Sequence, residues 1–458
     1  MEKSPPMSKI VLYSMGYRGD VFPYVPVASA LARRGHDVTF VVPREFHPVF
    51  EAEGFRCVHS GTDFGPAALD QHAAYAARWG MRLGGSMLAR LYFGEFMIPH
   101  LHALYEAIDA EVADADVLVS HPVTALVGAM SAERRGVPWI SADLFPMLLP
   151  SADVPPPGMP NVGPPMNRAL WRLLRSRTAD RVGGGGAFRD LRQRLGLSND
   201  GWGMLDGRLS PHANIGLVSP AYFPPQRDWP EPFELVGFTP WAGPNHGELT
   251  AEVRSFLDDG EAPILVTLGT SAASARSDLF ARAATQLDRI GARSIFLTST
   301  ASLAEQLSAS IGGGSHLVMP FAPIEPLLPH CRAIVHSGAH GTNSLALLAG
   351  KPSAVAPALF DQLWHAKRQE QLGTGVWVRS HDALGAAVER LATDTELAAT
   401  AAAFGERLAV EDGITTACNR IEQLCPVPSR PSARDVIDLR ELRAAPFEQP
   451  NAATRSAR

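Results

Sequence analysis

A glycine-rich turn and an acid–amide pair stand close together in the stretch 336–375. The run AIVHSG ends in a polar turn at Gly338, and GTNSLALLAG then places apolar residues at helical spacing, so this segment reads as strand, turn and helix. The N–H groups at such a helix start, expected to be free at Thr342, Asn343 and Ser344, attract an anion, and Gly338 and Gly341 let the backbone approach it closely. The pattern therefore predicts a phosphate site.

Polar residues on either side of this helix extend the same chemistry. His336, at the end of the strand, can offer a hydrogen bond or a positive charge to a diphosphate, and Asp361 and Gln362 follow the next strand. A carboxylate beside an amide suits sugar hydroxyls, since the first accepts hydrogen bonds and the second both donates and accepts them. Taken singly, these elements are also typical of a tight turn and a solvated loop. Their order and spacing together indicate a nucleotide-sugar site.

The whole segment resembles the donor-binding signature of inverting family-one glycosyltransferases with the GT-B fold, in which two Rossmann-like domains face each other across a cleft. The matching positions are His336, Gly338, Gly341, Thr342, Ala346, Leu347, Ala349, Gly350, Pro352, Pro357, Asp361, Gln362 and Ala366. The resemblance implies that the residues around His336 and Thr342 bind the donor diphosphate and that Asp361 and Gln362 bind the donor sugar. Two residues depart from it: Leu345 replaces a ribose-binding glutamate, and His365 replaces an asparagine.

A second site is indicated near the N-terminus, in SMGYRGDVFPY. The first strand is expected to end at about Met15 and a helix to begin near Pro23, which places Asp20 beyond the carboxyl end of a parallel strand, where ligands bind. By local chemistry alone, Asp20 is equally a helix cap. The family resemblance, carried here by Gly19, Asp20, Val21 and Pro23, implies a general base that deprotonates the acceptor.

An ordinary aspartate titrates near pH 3.9, which is too acidic for a base at neutral pH. Asp20 therefore needs burial or a partner that raises its pKa. His121 follows the strand VLVS and is placed to reach the same crevice, although a histidine before proline in a loop is more often structural.

Two further segments match the family pattern. Phe321 and Ala322 stand where relatives stack and pair the nucleobase, the alternative for Phe321 being a core aromatic. Gly269, Thr270 and Ser271 end the strand PILVTLG and match a turn near the donor phosphates.

Composition and length are consistent with this assignment. The chain has 458 residues, 46% hydrophobic and 19% charged, which favours two soluble α/β domains. Alternating strand-like and helix-like runs predict a Rossmann-like domain over 1–235, a second over 236–425 whose last helix returns to the first, and a disordered tail over 426–458. The resemblance implies that the first domain binds the acceptor and the second the nucleotide sugar. A net charge of -6 disfavours nucleic acid, and scattered cysteines without a signal or membrane segment predict a cytoplasmic protein.

The region between residues 60 and 215 matches the family least, and it is the acceptor side. The apolar stretch from Leu83 to Ile108 predicts an acceptor tunnel with Phe93 and Phe96 as contacts, and a proline-rich loop after residue 150 can roof it. Buried core is the alternative for these helices. Outside this region, the segments GDVFPYVPVASALARRGH, PPQRDWPEPFELVGF, GARSIFLT and SLALLAGKP resemble the rhamnosyltransferase of rhamnolipid synthesis and sterol-glucosyltransferase-like members.

The expected reaction moves a hexose or deoxyhexose from a UDP- or dTDP-sugar to a hydrophobic acceptor with inversion. The nucleotide sugar is a co-substrate, and neither a metal nor another cofactor is expected. The expected partners are the donor and a lipid or polycyclic acceptor, with peripheral membrane contact left open, as is the oligomeric state. Two alternatives stand beside this expectation: a nucleotide-sugar 2-epimerase of the same fold, and a catalytically silent binding protein.

Overall fold

The structure is a computed structural model that describes residues 7–63, 92–122, 124–157, 159–243, 247–269, 277–311, 314–358, 361–380 and 382–425. These residues form two parallel β-sheets with helices packed on them. Within them, no helix has the length and apolar character that crossing a membrane requires.

The strands are short and nearly all buried, as expected for parallel sheets covered on both faces. Those of the first sheet are β1 (Lys9–Tyr13), β2 (Asp37–Val42), β3 (Arg56–His59), β4 (Val117–Ser120), β5 (Trp139–Asp143), β6 (Ala213–Gly216) and β7 (Phe233–Leu235). Those of the second sheet are β8 (Ile264–Thr267), β9 (Ser294–Leu297), β10 (His316–Met319), β11 (Ala333–His336), β12 (Ser353–Val355) and β13 (Gly375–Trp377).

The two sheets share one topology. The first has the order β3-β2-β1-β4-β5-β6-β7 and the second the order β10-β9-β8-β11-β12-β13, with every neighbouring pair parallel. The strand order reverses between β1 and β4 in one sheet and between β8 and β11 in the other. In open α/β sheets, ligands bind beyond the carboxyl ends of the strands at this reversal. Two Rossmann-like halves of this kind form the GT-B fold.

Helices connect the strands and cover both sheets. In the first half they are α1 (Arg18–Val21), α2 (Val25–Arg33), α3 (His47–Ala52), α4 (Leu101–Val112), α5 (Ala125–Arg135), α6 (Pro164–Leu174), α7 (Arg177–Val182), α8 (Gly185–Arg194) and α9 (Met204–Gly207). In the second they are α10 (Ala251–Asp258), α11 (Ser277–Arg289), α12 (Ala301–Ser310), α13 (Ile324–Leu327), α14 (His340–Leu348), α15 (Gln362–Leu372), α16 (Ala383–Thr393), α17 (Thr395–Leu408) and α18 (Gly413–Glu422).

Three local features differ from the sequence-based expectation. Strand β1 ends at Tyr13, before Met15, and the next helix begins at Arg18, so that Pro23 lies in a following 3-10 turn. The proline-rich segment 217–243, in which the sequence pattern indicates no strand, also carries strand β7, which pairs with β6 at the edge of the first sheet. Prolines flanking β7 are compatible with an edge strand because the missing N–H groups leave few ladder bonds unmade.

The end of the second half returns to the first sheet. Helix α18 buries Ala417, Cys418 and Ile421 in the same hydrophobic cluster as residues of β1 and α2. Arg34, at the end of α2, donates from Nη1 to Glu422 Oε2 at 2.7 Å. The two halves are therefore joined at two places, through the segment after β7 and through α18.

Candidate active site

One cleft separates the carboxyl ends of the two sheets. It has a volume of about 1160 Å³ and is lined by the segments that follow β1 and β4 on one side and β8 and β11 on the other. The cleft thus lies at the strand-order reversal of both sheets, where an open α/β sheet presents backbone groups to a ligand.

Asp20 lies in the first turn of α1 and lines the cleft. Its Oδ2 accepts a hydrogen bond from the Tyr17 N–H at 2.7 Å, and the Ser14 hydroxyl donates to the Asp20 carbonyl oxygen at 2.8 Å. Gly16 has a φ of +133°, and a Cβ at that position would overlap the Asp20 carboxylate. The carboxylate therefore accepts the N-cap N–H as the third residue of α1, whereas the sequence had indicated an N-cap residue, and it also faces the cleft. Its role as a general base stays a prediction.

The environment of Asp20 makes it a stronger base than a solvated aspartate. Burial raises the pKa of this carboxyl from 3.8 to about 7, the Tyr17 N–H opposes the shift, and the negative charge of Asp361 adds to it. Asp361 belongs to the second half, so the charges of the two halves meet across the cleft. A base whose pKa lies near the working pH is suited to proton transfer.

His121 is the neighbour of Asp20 that follows β4. Its Nε2 lies 3.7 Å from Asp20 Oδ1, and its ring packs edge-on against Phe145 and Tyr24. Burial, followed by the positive charge of Arg208, lowers the pKa of His121 to about 3. The imidazole is neutral at physiological pH, so it borders the carboxylate without stabilising its charge.

The turn after β11 has the shape of an anion site. Gly338 has a φ of +89°, and a Cβ at that position would press on Val355 at 2.7 Å, so glycine is needed there. Helix α14 begins at His340, and the geometry of a helix start leaves the N–H groups of His340, Gly341 and Thr342 without an acceptor inside the helix. These groups and the positive end of the helix dipole face the cleft.

Of the predicted phosphate residues, Asn343 does not line the cleft, and Ser344 lines it with its hydroxyl already bonded. The Asn343 N–H donates to the Ala339 carbonyl at 2.9 Å, and the buried Asn343 side chain accepts from Gln369 Nε2 at 2.9 Å. The Ser344 hydroxyl donates to the Gly341 carbonyl at 2.8 Å. Because α14 starts earlier than the sequence pattern indicated, the free N–H groups lie earlier too, and Asn343 packs inside the second half.

His336 can offer a hydrogen bond to a ligand but not a positive charge. It is fully buried, and burial lowers its pKa to about 3, so it carries no positive charge at neutral pH. Its Nδ1 accepts the Gly338 N–H at 3.0 Å, which places the ring proton on Nε2. Among the described residues, Nε2 has no hydrogen-bond partner. The expected charge is wrong, whereas a hydrogen-bond donor remains.

Sequence reasoning missed His340, the first residue of α14. It lines the cleft, and burial lowers its pKa to about 3. Its ring lies between Phe238 of the segment after β7 and His365 of α15, with ring centroids 5.9 and 6.0 Å away. The signal was its position in the run GAHGT, immediately before the predicted helix.

Asp361 and Gln362 begin α15 and line the cleft. Gln362 Oε1 accepts the Ala358 N–H at 2.9 Å, which fixes this amide. Asp361 Oδ2 lies 3.2 Å from His365 Nε2, and His365 Nδ1 lies 2.9 Å from the Tyr222 hydroxyl. Both His365 and Tyr222 are buried, so the histidine that replaces the family asparagine is bonded to the segment between the halves and lies next to Asp361 without a hydrogen bond to it.

The remaining donor-side predictions fall at the same end of the cleft. Phe321 is 48% exposed and lines it, so it is not a core aromatic, and the buried Ala322 adjoins it. Leu345 also lines the cleft. Gly269 follows β8 with a φ of +69°, whereas Thr270 lies outside the described residues.

The acceptor tunnel predicted over Leu83 to Ile108 is mostly wrong where it can be compared. Phe93 lines the cleft and packs edge-on against Phe188 at 6.0 Å. Helix α4, however, buries Leu104, Tyr105 and Ile108 in the core of the first half. Residues 83–91 and the side chain of Phe96 lie outside what the structure describes.

A different apolar wall surrounds Asp20. It comes from the turn after α1, helix α5, the segment after β5, the proline-rich loop and helix α9. Its members are Phe22, Leu126, Phe145, Met147, Leu148, Val154, Pro155, Pro156, Met159, Met204 and Leu205. Sequence analysis indicated the loop but missed the rest, since these residues are scattered along the chain. In the described part of the chain, no group of three or more His, Cys, Asp or Glu could hold a metal ion.

The chain is similar to known proteins along most of its length. Residues 287–424 match the family of the erythromycin biosynthesis protein CIII-like C-terminal domain. The chain is 29% identical to O-mycaminosyltylonolide 6-deoxyallosyltransferase of Streptomyces fradiae, over 91% of this chain and 97% of that protein. It is 28% identical to 4'-demethylrebeccamycin synthase of Lentzea aerocolonigenes, over 89% and 97%. Against a sterol 3-beta-glucosyltransferase of Vanderwaltozyma polyspora it is 25% identical, over 89% of this chain and 34% of that protein.

Solved structures share the fold. The glycosyltransferase VinC in complex with dTDP superposes with a TM-score of 0.65 at 17% identity, over 91% of this chain and 99% of that one. The calicheamicin glycosyltransferase CalG4 superposes with a TM-score of 0.64 at 19% identity, over 91% and 98%. With two Rossmann-like sheets around one cleft, the chain has the GT-B fold, and the relatives that it resembles over nearly its whole length are glycosyltransferases.

Proposed function

We propose that this protein transfers a hexose or deoxyhexose from a dTDP- or UDP-sugar to a hydroxyl of a hydrophobic acceptor, with inversion and without a metal. The observation that carries the proposal is the meeting of Asp20 and Asp361 across the cleft, with the pKa of Asp20 raised to about 7. One carboxylate stands on the apolar side and the other beside the anion-binding turn. That is the arrangement a base and a sugar ligand need.

The proposed reaction is a single displacement. Asp20 takes the proton of the acceptor hydroxyl while the oxygen of that hydroxyl attacks the anomeric carbon. The bond from the anomeric carbon to the nucleotide diphosphate breaks in the same step. The bonding electrons leave with the diphosphate. The N–H groups at the start of α14 and the His336 Nε2–H would stabilise that charge by hydrogen bonds, since preorganised donors lower the energy of a charged transition state.

Leu345 favours dTDP as the nucleotide of the donor. It lines the cleft where many relatives have a glutamate for the ribose hydroxyls, and it offers no hydrogen-bond acceptor. A deoxyribose nucleotide has one hydroxyl fewer that needs a hydrogen-bond partner at such a site than a ribose nucleotide has, which favours dTDP over UDP. VinC, which shares the fold, was solved with dTDP.

The apolar wall around Asp20 favours a hydrophobic acceptor. A polyketide, sterol or lipid hydroxyl would bury its hydrocarbon skeleton there. Leu205→Asp tests this assignment, because Leu205 lines the wall without being fully buried. The variant should raise the acceptor KM and leave dTDP affinity unchanged. A best acceptor that is a simple hydrophilic sugar would contradict the proposal.

One assay separates this activity from its alternatives. The protein is incubated with UDP- and dTDP-sugars, with and without a panel of hydrophobic alcohols, and nucleotide release and sugar configuration are followed. Acceptor-dependent release of nucleotide with an inverted glycoside supports the transferase. An epimer that appears without acceptor indicates the 2-epimerase, and binding without turnover indicates a silent protein. Chelator should leave the rate unchanged, and a strict magnesium requirement would refute the metal-free account.

All four cysteines are free thiols, which suits a reaction in the reducing cytoplasm. The link to rhamnolipid synthesis stays a prediction.

A further inference from the structure

An apolar and basic surface lies on the first half, outside the cleft. Five of the eight large hydrophobic side chains that are exposed in the described part of the chain fall between residues 159 and 182. They are Met159, Val162, Met166, Leu173 and Val182. Exposed apolar side chains this concentrated mark an interaction site rather than ordinary surface.

The same segment is strongly basic, although the chain carries a net charge of -6. Its five arginines are all exposed: Arg168, Arg172, Arg175, Arg177 and Arg181. Its one acidic residue, Asp180, is buried and paired with Arg189. Arg175 pairs with Asp206 at 2.9 Å, whereas the structure gives the other four no ion pair with a described residue. We call these arginines and the five apolar residues the α6–α7 face.

Helix α6 is held in place by its opposite side. The buried Trp171 donates from Nε1 to the Val154 carbonyl at 2.8 Å, and the buried Asn167 donates to the Ala152 carbonyl at 2.8 Å. Met166 and Leu173 are seven residues apart, two helical turns, and so share one outward stripe, while the exposed Arg168 and Arg172 lie on the flank between that stripe and the buried side of the helix. The face is therefore a fixed part of the fold and presents apolar and cationic groups together.

We propose that the α6–α7 face binds the surface of an anionic lipid bilayer. Arginines pair with lipid phosphates in the head-group layer, and apolar side chains beside them enter the acyl boundary, which is how a basic amphipathic helix lies on a membrane. An acidic protein would satisfy the arginines but offers less to the apolar stripe. The charge of the face is complementary to a bilayer and opposite to that of the chain as a whole.

The position of the face supports a bilayer as its partner. Met159, Pro160 and Asn161 belong to the same exposed segment and also line the mouth of the cleft. The apolar surface thus continues into the wall around Asp20. This last step rests on the proposed function: an acceptor dissolved in the bilayer would reach the cleft without crossing water.

Vesicle sedimentation of the full chain tests the inference. Vesicles of phosphatidylcholine alone are compared with vesicles of equal parts phosphatidylcholine and phosphatidylglycerol, and the mixed vesicles should bind the protein more strongly. Because each arginine near an anionic surface strengthens binding severalfold, Arg168→Glu/Arg172→Glu should lower the partition coefficient at least about tenfold. Met166→Ser/Leu173→Ser should lower it as well.

Two matched controls carry the same changes elsewhere. Arg282→Glu/Arg289→Glu reverses two exposed arginines of α11, and Val410→Ser removes an exposed apolar side chain of the second half. Both should bind the mixed vesicles like the unmodified protein. Equal loss in the α11 control would reduce the effect to net charge and overturn the proposal.

Two further outcomes decide the partner and keep the inference separate from the proposed function. Binding to soluble polyglutamate, with no binding to either vesicle, would refute a bilayer and indicate an acidic protein. Sugar transfer to a water-soluble acceptor should be unchanged in both α6–α7 face variants. If transfer persists while vesicle binding is absent in the unmodified protein, only the membrane inference fails.

Discussion

At the scale of single residues, Asp20 is the group on which the proposed chemistry depends. Its carboxylate is fixed by the Tyr17 N–H, allowed by Gly16, and raised in pKa by burial and by Asp361. The sequence motif marks the position, but its base strength comes from the environment that the fold builds around it.

Asp20→Asn should lower turnover by about 100-fold or more, as expected for the loss of a general base, and change dTDP affinity by no more than a few fold. Because only the ionised carboxylate accepts the proton, kcat/KM of the unmodified protein should rise with pH up to about 7 and then level off. Steady-state kinetics over this pH range check both. Near-normal turnover in the variant would remove Asp20 from the mechanism.

The same substitution should change stability in a pH-dependent way. The folded state raises the pKa of Asp20 from 3.8 to about 7, so its contribution to stability is full below the lower value and is lost as the pH rises through the upper one. Asparagine does not titrate. The Tm of Asp20→Asn relative to the unmodified protein should therefore be higher at pH 8 than at pH 4.5, by about 2 °C or more. An equal difference at both pH values would contradict a raised pKa.

His336 should act through its Nε2–H and not through charge. His336→Ala should weaken dTDP binding and slow turnover, since one contact serves both the ground state and the leaving group. His316→Ala is a matched control, because His316 is a buried strand histidine of the same half, bonded to Ser294 and Asp288 outside the cleft. Calorimetry that shows equal dTDP affinity for both variants would make His336 a core residue.

At the scale of elements, the start of helix α14 is where the proposed donor diphosphate would bind. A Cβ at Gly341 would meet nothing within 4 Å, so space inside the protein does not explain this glycine. An approaching phosphate does, because the helix N-terminus binds an anion only when the backbone is accessible.

Gly341→Ala should accordingly leave the Tm unchanged or slightly raised and weaken dTDP binding. Gly19→Ala is the matched control: a Cβ there also meets nothing within 4 Å, and Gly19 lines the cleft beside Asp20 on the first half. It should leave dTDP affinity as it is. If both variants bind dTDP like the unmodified protein, the phosphates do not approach α14 at this point.

At the scale of the whole molecule, the site is divided between two halves. Asp20 and His121 belong to the first, and Asp361 and α14 to the second, so neither half holds the complete site. The halves are joined by the segment after β7, whose buried Tyr222 reaches His365, and by α18, which packs on α2. Two connections of this kind permit a hinge motion that changes the width of the cleft.

Nucleotide binding should favour a closed form of the cleft. Closure would bring a donor bound at the start of α14 closer to Asp20 and would exclude water. Small-angle scattering should show a smaller radius of gyration with dTDP than without it. Gly341→Ala should need more dTDP to reach the same compact state. A radius that does not change at saturating dTDP would show that the cleft of the free protein already has its working width.

The sequence alone determined the fold class and the outline of the site. Periodic apolar runs predict parallel sheets because buried strands must be apolar on both faces, and the signatures at Asp20 and His336 lie at strand ends because only the turns there are free to carry polar residues. The start of α14 was misjudged because a helix boundary depends on which N–H groups find acceptors, and that moved the expected role from Asn343 to His340.

Only the tertiary structure decided how these residues act. The raised pKa of Asp20 arises from burial and from a carboxylate of the other half, and the wall around it is assembled from the turn after α1, helix α5, the segment after β5, the proline-rich loop and helix α9. Such contacts join residues far apart in the chain, so no local pattern encodes them. The contact of His365 is of the same kind: this residue departs from the family pattern in the sequence, and folding brings its ring to the Tyr222 hydroxyl and beside Asp361.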